Sequence, residues 1–129
     1  MIAVDTNILV RLLTKDDKSQ FQKALILFKK NSIFISLTVL QETEWVLRFS
    51  YEFDTNQINN AISGLLGLAS VEVEKPMAIS KTLTMHKSGM DFSDAIHLAQ
   101  SERCDFFYTF DKKLISKSIN NDICEVREP

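Results

Sequence analysis

The sequence is poor in glycine, proline and cysteine. Three Gly and two Pro among 129 residues leave little material for long flexible loops. Two cysteines, Cys104 and Cys124, cannot build a disulfide framework or a four-ligand zinc site, so both are expected to be reduced. No apolar run approaches a membrane span, and no cationic segment followed by an apolar one marks a signal peptide. These absences predict a cytoplasmic protein without a membrane association.

Common catalytic motifs are also missing. The chain has no Gly-rich phosphate loop and no G-x-S-x-G, which argues against P-loop, Rossmann and serine-hydrolase chemistry. A phosphatase of the haloacid-dehalogenase type would need a second Asp two residues after Asp5, where the chain has Asn7. The two histidines, His86 and His97, are more often packed or solvated than catalytic when they stand alone on helices. The chemistry must therefore be sought among the carboxylates.

Composition predicts one globular domain over residues 1–129. The chain is 45% hydrophobic and 25% charged, which suits a sizeable core. Its net charge of −2 argues against a protein whose whole surface binds nucleic acid, but it permits a local basic rim. Arg11, Lys112 and Lys113 are candidates for such a rim, although ordinary solvated lysines are the simpler interpretation of most basic pairs.

Short apolar runs alternate with helical patterns along the chain. The strand-like runs are Ile2–Val4, Ile33–Ile35, Val71–Val73, Phe106–Tyr108 and Ile123–Val126. Helical spacing of apolar residues covers 20–30, 37–50, 57–68, 76–87 and 91–103. This alternation predicts an α/β protein of three α/β/α layers, in which a parallel, open sheet of five strands carries helices on both faces.

Four carboxylates fall where such a sheet would bring them to one edge. Asp5 and Asp111 follow strands, whereas Glu42 and Asp94 lie in or near the first turns of helices whose N-termini face the same edge. Each acid alone could be an N-cap or a favourable first-turn charge. Several ionised carboxylates close together repel one another, however, and a divalent cation with oxygen ligands removes that repulsion. Such a site can activate water and stabilise charge on a phosphoryl group.

The four acids lie in motifs that resemble those of the PIN-domain ribonucleases, and more narrowly the VapC-type toxins of toxin–antitoxin pairs. "VDTNILV" resembles the first motif, with Asp5 as its acid and Asn7 in support. "SLTVLQETEWVLR" is similar to the second, with Glu42 as its acid. "GMDFSDAIHLAQ" resembles the third, with Asp94 and the accessory Asp91, and "FYTFDKKL" the fourth, with Thr109 and Asp111. The motifs run in family order from residue 2 to about 114.

The resemblance implies a single PIN domain that cuts single-stranded or looped RNA, such as tRNA or ribosomal RNA, with Mg²⁺ or Mn²⁺. Asp5 and Asp94 would be the main metal ligands, and Glu42 and Asp111 would complete the catalytic set. The resemblance also implies inhibition of translation, neutralisation by a small VapB-like antitoxin, and a homodimer. Arg11, Lys112 and Lys113 would contact RNA phosphates.

Several alternatives stay open from the sequence. Glu44 lies two residues from Glu42 and on a roughly opposite helix face, so it competes for the second motif's acid. The chain could also be a degenerate PIN domain that only binds RNA or protein, or a PIN nuclease of RNA processing. The intact acidic set argues against the first of these, and the absence of an appended domain favours a toxin over the second.

Overall fold

Five short strands and seven helices alternate along the chain in the computed structural model, which describes residues 1–129. In chain order they are β1 (Ile2–Ala3), α1 (Thr6–Thr14), α2 (Lys18–Lys30), β2 (Ile33–Ile35), α3 (Leu37–Tyr51), α4 (Thr55–Leu66), β3 (Val71–Val73), α5 (Pro76–Lys87), α6 (Phe92–Ala99), β4 (Phe106–Tyr108), α7 (Lys112–Lys117) and β5 (Glu125–Arg127). The chain forms two compact units, Met1–Glu74 and Lys75–Pro129. This is a mixed α/β protein with parallel strands, as the alternation predicts.

Unit 1 is built on a parallel sheet with the strand order β1-β2-β3. Ile33 of the central strand β2 aligns with Ile2 on one side and Val71 on the other. Ile33 and Ile35 are fully buried, because apolar strands in parallel sheets are covered rather than solvated. Helix α1 packs against α2 and α3, and α4 packs against α3 and β3. The acids Asp5 and Glu42 belong to this unit.

Unit 2 holds the second sheet, in which β4 and β5 pair in parallel. Its core joins buried residues of α6, α7 and the neighbouring loops, and Phe107 and Val126 of the two strands pack against it. Helices α5 and α6 pack tightly together. This unit carries Asp91, Asp94 and Asp111, so their positions can be compared within one compact body.

The predicted single sheet of five strands is wrong in one respect. All five strands form and all pairings are parallel, but they form sheets of three and two strands. Strand β1 has only two residues, because Val4 is followed by Asp5, which already caps α1. The layering of helices on both sheet faces stays a prediction.

Local hydrogen bonds explain where element ends differ from their predicted bounds. Helix α6 ends at Ala99 instead of continuing to residue 103, because the chain enters turns in which Ser101 N donates to Leu98 O at 2.9 Å. Strand β5 begins at Glu125, since the backbone N–H groups of Ile123 and Cys124 donate to the Asn121 side chain at 2.8 and 3.2 Å. Side-chain bonds of this kind compete with the sheet ladder.

Candidate functional site

Asp5 is the residue through which the chain passes from β1 into α1. Its backbone is extended, and its Oδ1 accepts a hydrogen bond from Thr6 N at 2.7 Å. Val4 before it and Thr6 after it are buried, whereas Asp5 and Asn7 are exposed. The N-cap alternative for Asp5 is thus realised, but a cap uses one oxygen and leaves the rest of the carboxylate accessible. Helix α1, which Asp5 caps, packs against α3, the helix that carries Glu42.

Helix α3 presents its two glutamates to opposite environments. Residues two positions apart on a helix point in roughly opposite directions. Glu42 is exposed, whereas Glu44 is 0% exposed and accepts hydrogen bonds from Arg48 Nε at 2.9 Å and Nη2 at 3.1 Å. Glu44 therefore forms a bidentate ion pair with Arg48, which lies one turn further along α3.

Three carboxylates of unit 2 line one surface recess. It has a volume of about 250 Å³ and is bordered by Gly89, Met90, Asp91, Asp94, Asp111, Lys113, Leu114 and Lys117. Burial raises the pKa of the Asp94 carboxyl above its ordinary value, and the negative charges of Asp91 and Asp111 raise it further, while His97 opposes the shift. The ionised form of Asp94 is thus less favourable here than in open solvent, and a nearby cation would favour it.

Capping geometry fixes two of these acids. Asp91 caps α6, since its Oδ1 accepts from Asp94 N at 3.1 Å. Asp111 caps α7 by accepting from the backbone N–H groups of Lys113 and Leu114 at 2.9 and 3.1 Å. The backbone N–H of Asp111 in turn donates to Thr109 Oγ1 at 3.0 Å. Thr109 therefore supports the position of Asp111, and capping and ligand binding are compatible roles here.

The donor chemistry of these residues fits a hard divalent cation. All candidates are carboxylate oxygens, and Mg²⁺ typically retains several waters while it binds one or two carboxylates. Within either unit, however, no group of three or more Asp, Glu, His or Cys side chains lies close enough to hold a metal ion alone. A cation in the recess of unit 2 would thus need water or further oxygen ligands to complete its shell.

The three basic residues that were expected to contact RNA differ in the partners that hold their side chains. Lys113 lines the acidic recess, and Lys112 beside it is exposed. Arg11 is held by Gln20 Oε1 at 2.6 Å and by Asp16 and Tyr51, each at 3.0 Å. The guanidinium of Arg11 must leave these partners before it can contact a phosphate. Sequence reasoning named Lys112 and Lys113 but placed neither at a particular site.

Lys117 is a residue of the recess that the sequence analysis missed. It lies four residues after Lys113 on α7, and that spacing was the available signal. Gly89 lies at the rim with φ of 105°, and the Lys117 amino group is 3.2 Å from where a Cβ at this position would be. A side chain at residue 89 would therefore crowd Lys117 as well as strain the backbone.

The parallel strands, the helices between them and the carboxylates at helix starts define a mixed α/β protein. The sequence profile of the PIN domain family matches residues 2–119, so the chain belongs to the PIN domain family. Proteins of this family are generally metal-dependent nucleases, often ribonucleases, and act on nucleic acids. No curated protein matches the sequence. None of the helices combines the length and apolar character needed to cross a membrane.

Proposed function

We propose that this chain is a metal-dependent endoribonuclease, the toxin of a toxin–antitoxin pair, folded as one PIN domain over residues 1–129. The observation that carries the proposal is the recess in which Asp94 faces the charges of Asp91 and Asp111. Asp91 and Asp111 also cap helices, but the repulsion that they exert on the Asp94 carboxylate is an electrostatic cost that a bound cation would relieve. The family membership directs that cation toward phosphodiester hydrolysis.

In this proposal Asp5 and Asp94 are the main ligands of Mg²⁺ or Mn²⁺, and Glu42 and Asp111 complete the acidic set. The exposure of Glu42, against the burial of Glu44 in its ion pair, supports Glu42 as the acid of α3. A bound divalent ion supplies charge stabilisation at the phosphoryl group and lowers the pKa of water.

The remaining residues position the acids or bind the RNA. Asp91 fixes the first turn of α6 and with it the backbone of Asp94. Thr109 holds the backbone of Asp111, and Asn7 gives polar support beside Asp5. Lys112 and Lys113 bind RNA phosphates, and Arg11 joins them once it is released from Asp16. The substrate is single-stranded or looped RNA, such as tRNA or ribosomal RNA, and its cleavage stops translation.

The biological role follows from the same assignment. A free nuclease of this kind is harmful to its cell, so we propose a VapB-like antitoxin as its partner and a homodimer as its assembly. A short reading frame beside the gene that encodes a DNA-binding protein supports this role. Induced expression that leaves growth and translation unchanged contradicts it, even if the protein cleaves RNA.

The deciding experiment compares RNA cleavage by the wild type, Asp5→Asn and Asp105→Asn. Asp105 is an exposed acid just before β4 and serves as the matched control. We expect Mg²⁺-dependent cleavage by the wild type and by Asp105→Asn, abolition by EDTA, and a loss of about 100-fold or more in Asp5→Asn. Equal cleavage by the wild type and Asp5→Asn would overturn the assignment. Calorimetric titration with Mn²⁺ tests binding separately, since a degenerate domain would bind no metal.

A further inference from the structure

The outward face of the β4–β5 sheet carries aromatic side chains where an exposed sheet usually carries polar ones. Phe106, Tyr108 and Phe110 occupy alternate positions and are 40%, 57% and 76% exposed. The rings of Phe106 and Tyr108 have centroids 6.2 Å apart. The alternate residue Phe107 packs inward against the core of unit 2, so folding accounts for that ring but not for the exposed three.

A guanidinium group lies on this aromatic face. Arg127 of β5 is the register partner of Tyr108, and its Cζ lies 3.7 Å from the ring centroid of Phe106. Glu125 holds it by accepting hydrogen bonds from Arg127 Nε at 2.8 Å and from Nη2 at 3.0 Å. Arginine and aromatic rings are the two side-chain types on which nucleobases stack. The face thus presents an ordered stacking surface with one fixed cation.

The face leads directly to charged residues of the candidate site. The pairing of β4 with β5 extends to Thr109, whose N–H donates to Arg127 O at 2.9 Å. The chain then passes through Phe110 to Asp111, and the exposed Lys112 and Lys113 follow. An anionic, base-bearing chain would therefore meet rings, a guanidinium and lysines in sequence. Arg127 is paired with Glu125 and offers its guanidinium plane, whereas the exposed Lys112 and Lys113 supply the positive charge that favours a polyanion over an apolar protein surface as the occupant.

We propose that the exposed face of Phe106, Tyr108 and Arg127 stacks the unpaired bases of single-stranded RNA beside the cleavage site. The choice of RNA as the ligand rests on the proposed nuclease function. Stacking on a ring is tolerant of sequence, because every base has a π face. The face would therefore select unstacked strands over duplexes and leave the choice of cleavage site to other contacts.

The test measures binding of a short, fluorescently labelled oligouridylate by anisotropy in EDTA, so that no RNA is consumed. The comparison ligand is an abasic chain of equal length, which has the same phosphates but no bases. We expect Tyr108→Ala and Tyr108→Leu to weaken oligouridylate binding by about 5- to 100-fold, the range for loss of one stacking ring. Abasic-chain binding stays within about 2-fold in both variants, and Tyr108→Phe retains oligouridylate binding because the ring remains.

Met77→Ala is the control, since Met77 is an apolar residue of α5 that is 70% exposed. Circular dichroism and sedimentation of each variant exclude misfolding and altered assembly. Wild-type binding to neither chain, equal weakening for both chains, or unchanged binding with a changed oligomeric state in Tyr108→Ala would overturn the proposal. The last result would assign the face to a protein contact. The binding assay needs no cleavage, so an inactive wild type that still shows ring-dependent binding contradicts only the proposed nuclease function.

Discussion

Glu44 in α3 and Asp94 in the recess of unit 2 are both withdrawn from bulk water, but the charges that surround them differ. In α3, the fully buried Glu44 is met by the guanidinium of Arg48 at 2.9 and 3.1 Å. In the recess of unit 2, Asp94 is only partly buried, yet its carboxylate neighbours are Asp91 and Asp111. Glu44, the more deeply buried acid, thus has a cation from its own helix as its partner. Asp94, the less buried acid, has two further carboxylates beside it.

This difference separates structural acids from functional ones better than burial does. A buried carboxylate with a bidentate arginine is satisfied within the fold, and removal of either partner disturbs the fold. In a group of carboxylates that repel one another, the ionised forms are less favourable, and a cation that enters the group relieves that repulsion. This contrast is the reason for proposing the less buried group as the site, and the following experiments test it.

The largest expected effect is on RNA cleavage. It is measured with two matched variants, Asp94→Asn and Glu44→Gln, each of which replaces one carboxylate by a neutral amide. Asp94→Asn should lower Mg²⁺-dependent RNA cleavage by about 100-fold or more, because it removes an anionic ligand of the ion. Its metal-free Tm should be no lower than that of the wild type, since the substitution also removes repulsion from Asp91 and Asp111. Cleavage kinetics and thermal unfolding in EDTA measure the two quantities.

Glu44→Gln is the matched variant, and we expect it to lower stability while leaving RNA cleavage nearly unchanged. Cleavage per folded molecule should stay within about 3-fold of the wild type, while the Tm falls because the charge partner of Arg48 is lost. A Glu44→Gln protein that unfolds like the wild type but does not cleave RNA would move the acid of α3 from Glu42 to Glu44. That outcome would also contradict the division between structural and functional carboxylates.

The next effect is on stability, when Arg48 is removed and Glu44 stays. Arg48→Ala should lower the free energy of unfolding by about 2–3 kcal/mol, less than for a fully buried pair because the guanidinium is partly hydrated. A buried carboxylate without its guanidinium takes up a proton more readily, so its folded-state pKa rises above the unfolded value. The deficit should therefore grow as the pH rises through that raised pKa and shrink in acid.

Urea unfolding at several pH values measures this dependence. Lys23→Ala, a change at an exposed residue of α2, is a suitable control for loss of a cation. A deficit that is the same at acid and neutral pH would show that Arg48 stabilises the chain through packing, for example on the ring of Phe49, whose centroid lies 4.6 Å from it. In that case the Arg48 charge would not be what distinguishes Glu44 of α3 from the carboxylates in the recess of unit 2.

The sequence was sufficient to predict element types and the strand direction but not the environments of individual acids. Alternating apolar runs and helical spacing located the five strands and five of the seven helices, and those patterns follow directly from which side chains need burial. The short helices α1 and α7 were not among the segments located by spacing. The five strands were expected in one sheet and instead form sheets of three and two strands, because the patterns that identify a strand do not specify which strands become neighbours.

The different fates of Glu42 and Glu44 also lay beyond pattern analysis. Helical spacing predicted that these two residues face opposite ways, but it could not say which face would be buried. The Arg48 ion pair depends on rotamers and on neighbouring helices, which spacing does not specify. Likewise, the alternation in "FFYTF" predicts a strand, while the exposure of its rings becomes visible only in the folded chain.

A smaller effect is expected where a buried polar group has no partner at all. The hydroxyl of Thr6 is buried next to Asp5 and forms no hydrogen bond. Thr6→Val keeps the shape and removes the unsatisfied group, so the free energy of unfolding should rise by about 1 kcal/mol. Cleavage should be unchanged. If the variant is more stable but cleaves RNA poorly, the hydroxyl has a role at the site.

The smallest effect concerns a compensated acid at the surface. The hydrogen bond from Tyr51, together with contacts from Thr14 and Arg11, lowers the pKa of Asp16 below its ordinary value. A lowered folded-state pKa adds stability that is present above the unfolded value of 3.8 and is lost as the pH falls through the folded-state pKa. Tyr51→Phe should therefore lower the Tm slightly at neutral pH, and this difference should fade in acid.

Thermal unfolding between neutral and strongly acidic pH measures the difference, with NMR titration of Asp16 as the direct check. The exposed pair has water as an alternative partner, so its effect should be much smaller than that of Arg48→Ala. An effect of Tyr51→Phe as large as that of Arg48→Ala, with the same pH dependence in both, would mean that burial adds nothing to charge compensation. The contrast between Glu44 and Asp94 would then rest on the signs of the neighbouring charges alone.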